Sequence, residues 1–567
     1  MDLRRKVFIA AVFSGFPFTL AHAAPGDLDP TFGQGGIAVA DLGGFDDGEA
    51  LAVQPDGKIL VAGSASVPGA VAFGLARLNP DGSLDPSFGN GGKVFANLFG
   101  HSVSFEDLAL QPDGKIVVGG SVDLGTGTDY NYDFWLVRFN PDGSFDPGFG
   151  TGGLVTTDLF SRSFDQMMTL TVQDDGRILA AGGVRRTPSE DEHFTVVRYL
   201  PDGRLDPDFG VDGKAVTPVL EGDSLIFGIA LQPDGKIVTT GFALTEYALV
   251  RYDRQGRLDP SFGGDGIVAN PFYTYPAVPF SVVVQPDGKI VAGGIAFPNS
   301  SNLQDGDFAL WRFLPDGSLD PGFGVGGRSW TDFPGRFDQI RSLALQADGG
   351  IVAVGYTQIN GQFHTTDFAL ARYTSDGQLD PLFGTGGTVV TDFFGDDDYA
   401  QDVVSLPDGR FVVTGWILGA PEIRRDARVV RYLGPELAVN QPPVITGAAA
   451  SPDSLGPANH KMIDVLVSYT VTDDRDPEAA VQCSLSVASN EPVNGTGDGD
   501  TAPDWQVVDG HRVRLRAERA GSGNGRTYTV TVACVDTAGA SSTRQVTVQV
   551  PKSRGSKSAG RDASAPS

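Results

Sequence analysis

The sequence predicts an all-β chain, a seven-bladed β-propeller of about 60-residue repeats followed by a small β-sandwich, and three observations predict it. The motif L-D-P-x-F-G begins at Leu28, Leu84, Phe145 (Phe in place of Leu), Leu205, Leu258, Leu319 and Leu379, at spacings of 56, 61, 60, 53, 61 and 60. Each copy is followed by Q-P-D-G-K-I or a close relative, with its Asp at Asp56, Asp113, Asp175, Asp234, Asp287, Asp348 and Asp408. Finally, Gly 76 and Pro 37 make up about a fifth of 567 residues, which demands many turns and argues against a helical bundle.

Residues 1–23 read as an export signal. Arg4, Arg5 and Lys6 precede an apolar run over 7–21, and Ala21-His22-Ala23 has the small-x-small cleavage pattern. The run is about fifteen residues and contains Gly15 and Pro17, short of the ~20 that a membrane span needs. No later stretch is long and apolar enough to span, so an exported protein without membrane insertion is expected, secreted, periplasmic or at the cell surface.

The propeller is expected over residues 24–434. In each unit one strand follows the Gly pair (93–96), a second precedes the Gln (108–110), and a third follows the turn Pro112-Asp113-Gly114 (115–118). The fourth, 134–138, ends in an Arg that recurs as Arg77, Arg138, Arg198, Arg251, Arg312, Arg372 and Arg431. Four-stranded units stacked in a ring bury both faces of every sheet. An open solenoid normally has shorter repeats, and the sequence leaves open whether the strand after Gly36 clasps the last blade.

Together, L-D-P-x-F-G-x-G-G, L-x-Q-P-D-G-K-I-V-V-x-G and F-A-L-x-R-Y-x-P-D-G-S resemble the bacterial delta-60 repeat, a family of propeller domains in exported proteins. The resemblance covers about residues 26–434 and implies the fold but no catalytic residue or ligand. Departures are Asp174 and Ala347 for Pro, Gly350 for Lys, and a missing P-D-G after Tyr432.

Residues 435–443 read as a linker and 444–551 as a β-sandwich, with alternating strands expected at 464–471, 481–487, 511–516, 528–535 and 545–550. C-S-L-S-V-x-S-N-E-P-V-N-G-T-G-D-G-D-T-A-P-D-W with C-V-D-T-A-G is similar to bacterial immunoglobulin-like, hyalin-type modules. Tyr528 lies six residues before Cys534, unlike antibody domains, where the spacing is two. Cys483 and Cys534 are the two cysteines of the chain, and an exported protein is expected to bond them. The Ser-, Ala- and Gly-rich tail, 552–567, reads as disordered.

A formal charge of −28 works against binding nucleic acid. A residue present in every unit is first a scaffold residue, so the L-D-P Asp and the closing Arg are expected to pair in turns. Ser144, Asp146 and Gly148, and likewise Ser318, Asp320 and Gly322, approach the sialidase Asp-box without its closing aromatic. There is no H-E-x-x-H or G-x-S-x-G. No cofactor is expected; calcium suits the acidic clusters Asp46, Asp47 and Glu49, Asp396 to Asp398, and Asp498, Asp500 and Asp504, but solvated turns are the preferred account of each.

The links at 99–105, 124–133, 185–193, 271–279, 298–307 and 358–366 vary in length and content, whereas the P-D-G turns on the other face barely change. Variable loops on a rigid scaffold are where recognition resides, and this face carries Tyr130, Tyr132, His193, Tyr273, Tyr275 and His364. The reading is a monomeric binding or surface protein for a carbohydrate or protein ligand. The alternative is a secreted hydrolase or lyase with a carboxylate site at the propeller channel.

Overall fold

A computed structural model describes residues 23–42, 46–67, 70–96, 103–125, 131–244, 246–269, 276–298, 305–333, 336–359, 365–419, 424–435, 442–456, 458–473, 480–491, 503–518, 525–536 and 540–551. The expected export signal (all but its last residue) and the tail lie outside them. Contacts divide the chain into two compact units, 1–437 and 438–567. Among the described residues there is no helix, hence none long and apolar enough to cross a membrane.

In the first unit, consecutive strands pair antiparallel into seven four-stranded sheets. The second and third are joined by one bridge between Tyr132 and Phe164. Each P-D-G turn works as expected: Gly114 sits at φ 82°, a conformation that glycine alone adopts without strain, and its N–H closes the turn on the Gln111 carbonyl at 2.9 Å.

The strand grouping differs from the sequence reading by one strand. Lys93–Ala96 pairs with Ala70–Leu78 of the preceding sheet, not with Val103–Leu110. The reason is the L-D-P-x-F-G segment, which folds back on the strand it leaves. Leu84 bridges Leu78, and the Arg77 N–H bonds the Gly92 carbonyl at 2.9 Å, so the chain re-enters the same sheet as its outer strand. For the same reason Ile37–Val39 completes the last sheet, pairing with Arg424–Tyr432, and the N-terminal segment clasps the ring.

Hydrophobic burial lies between sheets. Seven apolar cores each draw on two neighbouring sheets, the last joining Val412 and Val429 to Leu51 and Val61. The F-G phenylalanines Phe32, Phe88, Phe149, Phe209, Phe262, Phe323 and Phe383 are each fully buried in one of these cores. Over six of those rings lies an Arg at 4.5–4.7 Å, as with Arg198 on Phe209.

The same Arg bonds the L-D-P carboxylate, Arg198 Nε to Asp206 at 2.8 Å and Arg431 Nε to Asp29 at 2.8 Å. Its Nη1 reaches a turn carbonyl of the next sheet, Arg251 to Pro315 and Arg431 to Pro80 at 2.5 Å, and Arg198 to Arg254. Six of the seven guanidinium groups, all but that of Arg372, therefore tie two sheets while their charge stays compensated.

The departure at Gly350 is absorbed locally. Elsewhere a Lys or Arg after P-D-G supports the L-D-P Asp, such as Lys58 on Asp85 at 3.1 Å and Arg410 on Asp29 at 2.9 Å. At Gly350 no such side chain exists, and Arg372 itself spans Asp348, Asp380 and Gln346. A side chain at Gly350 would run into that guanidinium.

The second unit packs a four-stranded sheet on a three-stranded one around a single core that includes Val465, Val513, Val530 and Tyr528. Two of its strands, Val444–Ser451 and Trp505–Asp509, were not anticipated from the sequence. Cys483 and Cys534 are bonded as direct partners on neighbouring strands of one sheet. Although its spacing differs, Tyr528 ties back to upstream backbone, donating to the Arg516 carbonyl at 2.9 Å.

Replacing Arg198 with Met leaves Asp206 only the half-exposed Arg177, at 3.0 Å, and cuts the tie to the Arg254 carbonyl, so it should destabilise the propeller by about 2–4 kcal/mol in urea unfolding. Arg204→Ala breaks only the exposed pair with Asp202 and should change stability by less than about 1 kcal/mol. Equal effects would reject the interlock. Removing the Cys483–Cys534 bond, which closes 51 residues, should lower the second unit by about 4 kcal/mol. Calorimetry should show the propeller transition unmoved.

Candidate functional site

The innermost strands of the seven sheets surround a channel, and a defect repeated in six of them shapes it. Register shifts by one residue at Phe105/Asp107, Met167/Thr169, Ile226/Gly228, Pro279/Ser281, Ile340/Ser342 and Ala400/Asp402. A bulge leaves one residue unpaired and re-aims its side chain. The residues so placed are Glu106, Met168, Phe227, Phe280, Arg341 and Gln401, all half-buried and all lining a cavity of about 520 Å³. One equivalent position thus presents five kinds of side chain, with Phe used twice.

The cavity wall is held by side chains that cross between sheets. Asp107 accepts from the Leu170 N–H at 2.8 Å and the Thr169 hydroxyl at 3.0 Å. Asp402 accepts from Ser342 Oγ at 2.7 Å and, across the ring closure, from the Leu51 N–H at 3.0 Å. Glu106 has no such structural duty. Burial pushes its carboxyl up to about 7, against the opposing pull of a Ser104 hydrogen bond and the Arg341 charge. Arg341 lies 5.3 Å over the Phe280 ring, and its Nε donates to Gln401 at 2.9 Å.

From this cavity a ribbon of half-buried rings runs across the fifth to seventh sheets. Trp416, which lines the cavity, stacks on Tyr399 at 4.3 Å; Tyr399 meets Tyr356 at 4.7 Å. Phe337 and Phe297 continue it at 6.5 and 6.2 Å. All five lie toward the strand ends that lead into the variable links. The opposite mouth is a depression of about 750 Å³ lined by the recurring turn residues Gln173, Gln232, Gln285 and Gln346.

Three acidic triads sit at sheet junctions on the variable-loop side: Asp133, Asp158 and Asp165; Asp307, Asp332 and Asp338; Asp367, Asp392 and Asp398. In each the third Asp receives the N–H of the residue after the second, Leu159, Phe333 and Phe393, at 2.7–2.9 Å. Burial, together with the neighbouring carboxylates, pushes Asp133 and Asp307 up to about 6, and Asp165, Asp338 and Asp398 up to about 7.

Of the side chains expected to bind ligand, Tyr130, Tyr273, Tyr275 and His364 lie outside the described residues. Tyr132 and His193 head corresponding strands of adjacent sheets. Tyr132 packs on Phe164 at 4.9 Å, while the buried His193 Nδ1 lacks a hydrogen-bond partner. Asp498 and Asp500 are likewise outside, and Asp504 is buried in an ion pair with Arg526, which Glu518 shares at 3.2 Å. Asp504 therefore serves the interior of the second unit. Of the acidic run at 396–398, only Asp398 joins a triad.

Sequence reading missed the bulge residues and the triads. A signal for the triads exists: Asp five residues before the recurring Arg, the pair T-D after the outer strand, and an Asp opening the inner strand.

Six segments, 54–88, 111–149, 173–209, 232–262, 285–323 and 346–383, match the family described as domain of unknown function (DUF5122) beta-propeller. Each runs from the turn Gln or its counterpart to the F-G region, supporting the propeller class. No curated protein matches the chain. Among solved structures, Sqt1 of Chaetomium thermophilum bound to the N-terminus of ribosomal protein L10 is 14% identical, covering 70% of this chain and 100% of that one at a TM-score of 0.39. The polysaccharide lyase Uly1 is 14% identical over 68% and 90% at 0.38, and a glucose dehydrogenase 14% identical over 70% and 99% at 0.32.

A carboxyl raised from 4.5 to about 7 on folding binds its proton more tightly in the native state, so the stability it contributes at low pH is lost as pH rises through that window. The fall in propeller stability between pH about 4.5 and 7 should become shallower in Glu106→Gln. An unchanged slope in pH-dependent denaturant titrations would remove Glu106 from the raised set.

Proposed function

We propose that the protein is exported and binds a carbohydrate at the variable-loop face of its propeller, with the second unit as a spacer or attachment module. The observation that carries this is the ring ribbon from Phe297 to Trp416, which ends at the non-repeating side chains of the channel. Half-buried Tyr and Trp rings offer flat apolar faces with polar edges, the surface on which sugar rings stack. Arg341, Gln401 and Glu106 supply hydrogen-bonding partners beside them. On the opposite face the recurring Arg and Asp are paired with one another, and Gln111, Gln285 and Gln346 each accept from an Arg. A protein ligand on the same face is the other outcome that a binding screen resolves.

A polysaccharide and glycan screen of the mature protein tests this directly. Tyr399→Ala should weaken a captured glycan about tenfold, equivalent to about 1.4 kcal/mol. Ser83→Ala and Ser318→Ala, on the constant face, should leave binding unchanged. Equal losses from both faces, or no glycan retained, would overturn the reading.

Glu106 favours one second reading, a hydrolase or lyase at the channel. A carboxyl held protonated near neutral pH beside a guanidinium is equipped to donate a proton to a departing glycosidic oxygen. Shortened oligosaccharides in the screen, abolished by Glu106→Gln, would replace binding with catalysis.

A further inference from the structure

The triads are a more demanding arrangement than solvated acidic turns. In the first, Asp165 is fully buried and Asp133 is 6% exposed, yet Oδ1 of each is a buried atom with no hydrogen-bond partner. Oδ1 of the fully buried Asp398 in the third triad is in the same condition. Buried carboxylate oxygens facing other carboxylates are strongly unfavourable unless something cationic or a proton lies between them.

The seventh and first sheets meet at a junction that shows how this chain otherwise meets that demand. There the equivalent residues are Asp426, five before Arg431, and Asp41, after the outer strand. Arg428 binds Asp426 at 2.9 Å and Lys93 binds Asp41 at 2.8 Å. At the three other junctions the position five before the Arg holds Ala72, His193 or Glu246, and no such triad forms among the described residues. At the triad junctions the position of Arg428 holds Trp135, Ala309 and Ala369, and Lys214, which stands where Lys93 does, gives its ammonium to the Leu159 carbonyl at 2.7 Å.

We propose that the three junction triads each bind a Ca²⁺ ion, held by Asp133, Asp158 and Asp165, by Asp307, Asp332 and Asp338, and by Asp367, Asp392 and Asp398. One oxygen from each Asp lies within 4.8 Å of the others, the separation of ligands about 2.4 Å from a shared ion. An all-carboxylate set without His or Cys suits a hard cation and disfavours Zn²⁺. Mg²⁺ demands a near-ideal octahedron, whereas Ca²⁺ accepts irregular oxygen shells completed by carbonyls and water. In all three triads the middle Asp is exposed, giving the ion a route from solvent. Bound there, the ions would cross-link adjacent sheets beneath the variable links.

The test uses the full mature chain at pH 7.5 and constant ionic strength. CaCl₂ in place of EDTA should raise the propeller melting temperature by about 3–6 °C, and dialysed protein should retain about three Ca²⁺. The double variant Asp133→Asn/Asp165→Asn should lose one equivalent and part of the calcium-dependent rise, while melting in EDTA no lower than the parent. Asp332→Asn, at an exposed position, should weaken a second site without threatening folding. No retained Ca²⁺ and no calcium-dependent shift would overturn the proposal, leaving protons to occupy the triads. An equal shift with Mg²⁺ would reduce the effect to general screening and overturn it as well. None of these readouts depends on the carbohydrate reading.

Discussion

The propeller depends on one repeated arrangement: a buried guanidinium stacked on the F-G phenylalanine, bonded to the L-D-P carboxylate and reaching a carbonyl of the next sheet. A four-stranded sheet with two apolar faces is not stable alone, and packing against neighbours on both sides makes the ring a cooperative object. The Arg makes that packing specific, because its charge is satisfied only when the neighbouring turn is in register. Arg431 applies the same rule across the closure, where its partner Asp29 comes from the opposite end of the propeller sequence.

That division of labour separates the two faces. On the constant face the recurring Arg and Asp bind one another, and the same turn residues repeat from sheet to sheet. On the other side the bulged inner strands release one residue each into the channel, and the sequence is free to vary there without disturbing a ladder. Chemical variety and structural repetition thus coexist within one strand: Asp107 laces neighbouring sheets together while the adjacent Glu106 faces the cavity.

The acidic triads extend this logic to the sheet junctions. Repetition in a propeller copies problems as well as solutions, and a buried carboxylate copied into several junctions must be compensated in each. Arg428 and Lys93 provide one form of compensation. Where the Arg428 position holds Trp135, Ala309 or Ala369 instead, the geometry of the oxygens suits an ion from solution.

The sequence by itself determined the repeat, the turns, the strand-forming runs and the pairing partners Cys483 and Cys534, because each is set by local chemistry or a fixed spacing. It also marked the recurring Arg and Asp as scaffold. Tertiary structure decided that the strand after the Gly pair closes the preceding sheet, since that choice depends on how L-D-P-x-F-G folds back on its neighbour. It decided too that Glu106 and Arg341 share a cavity though 235 positions apart in the chain. Asp504, one of three acidic residues alike in sequence, proved to be a buried partner of Arg526 for the same reason. Burial and the neighbours that compensate a charge are properties of the assembled ring or sandwich, and no local pattern encodes them.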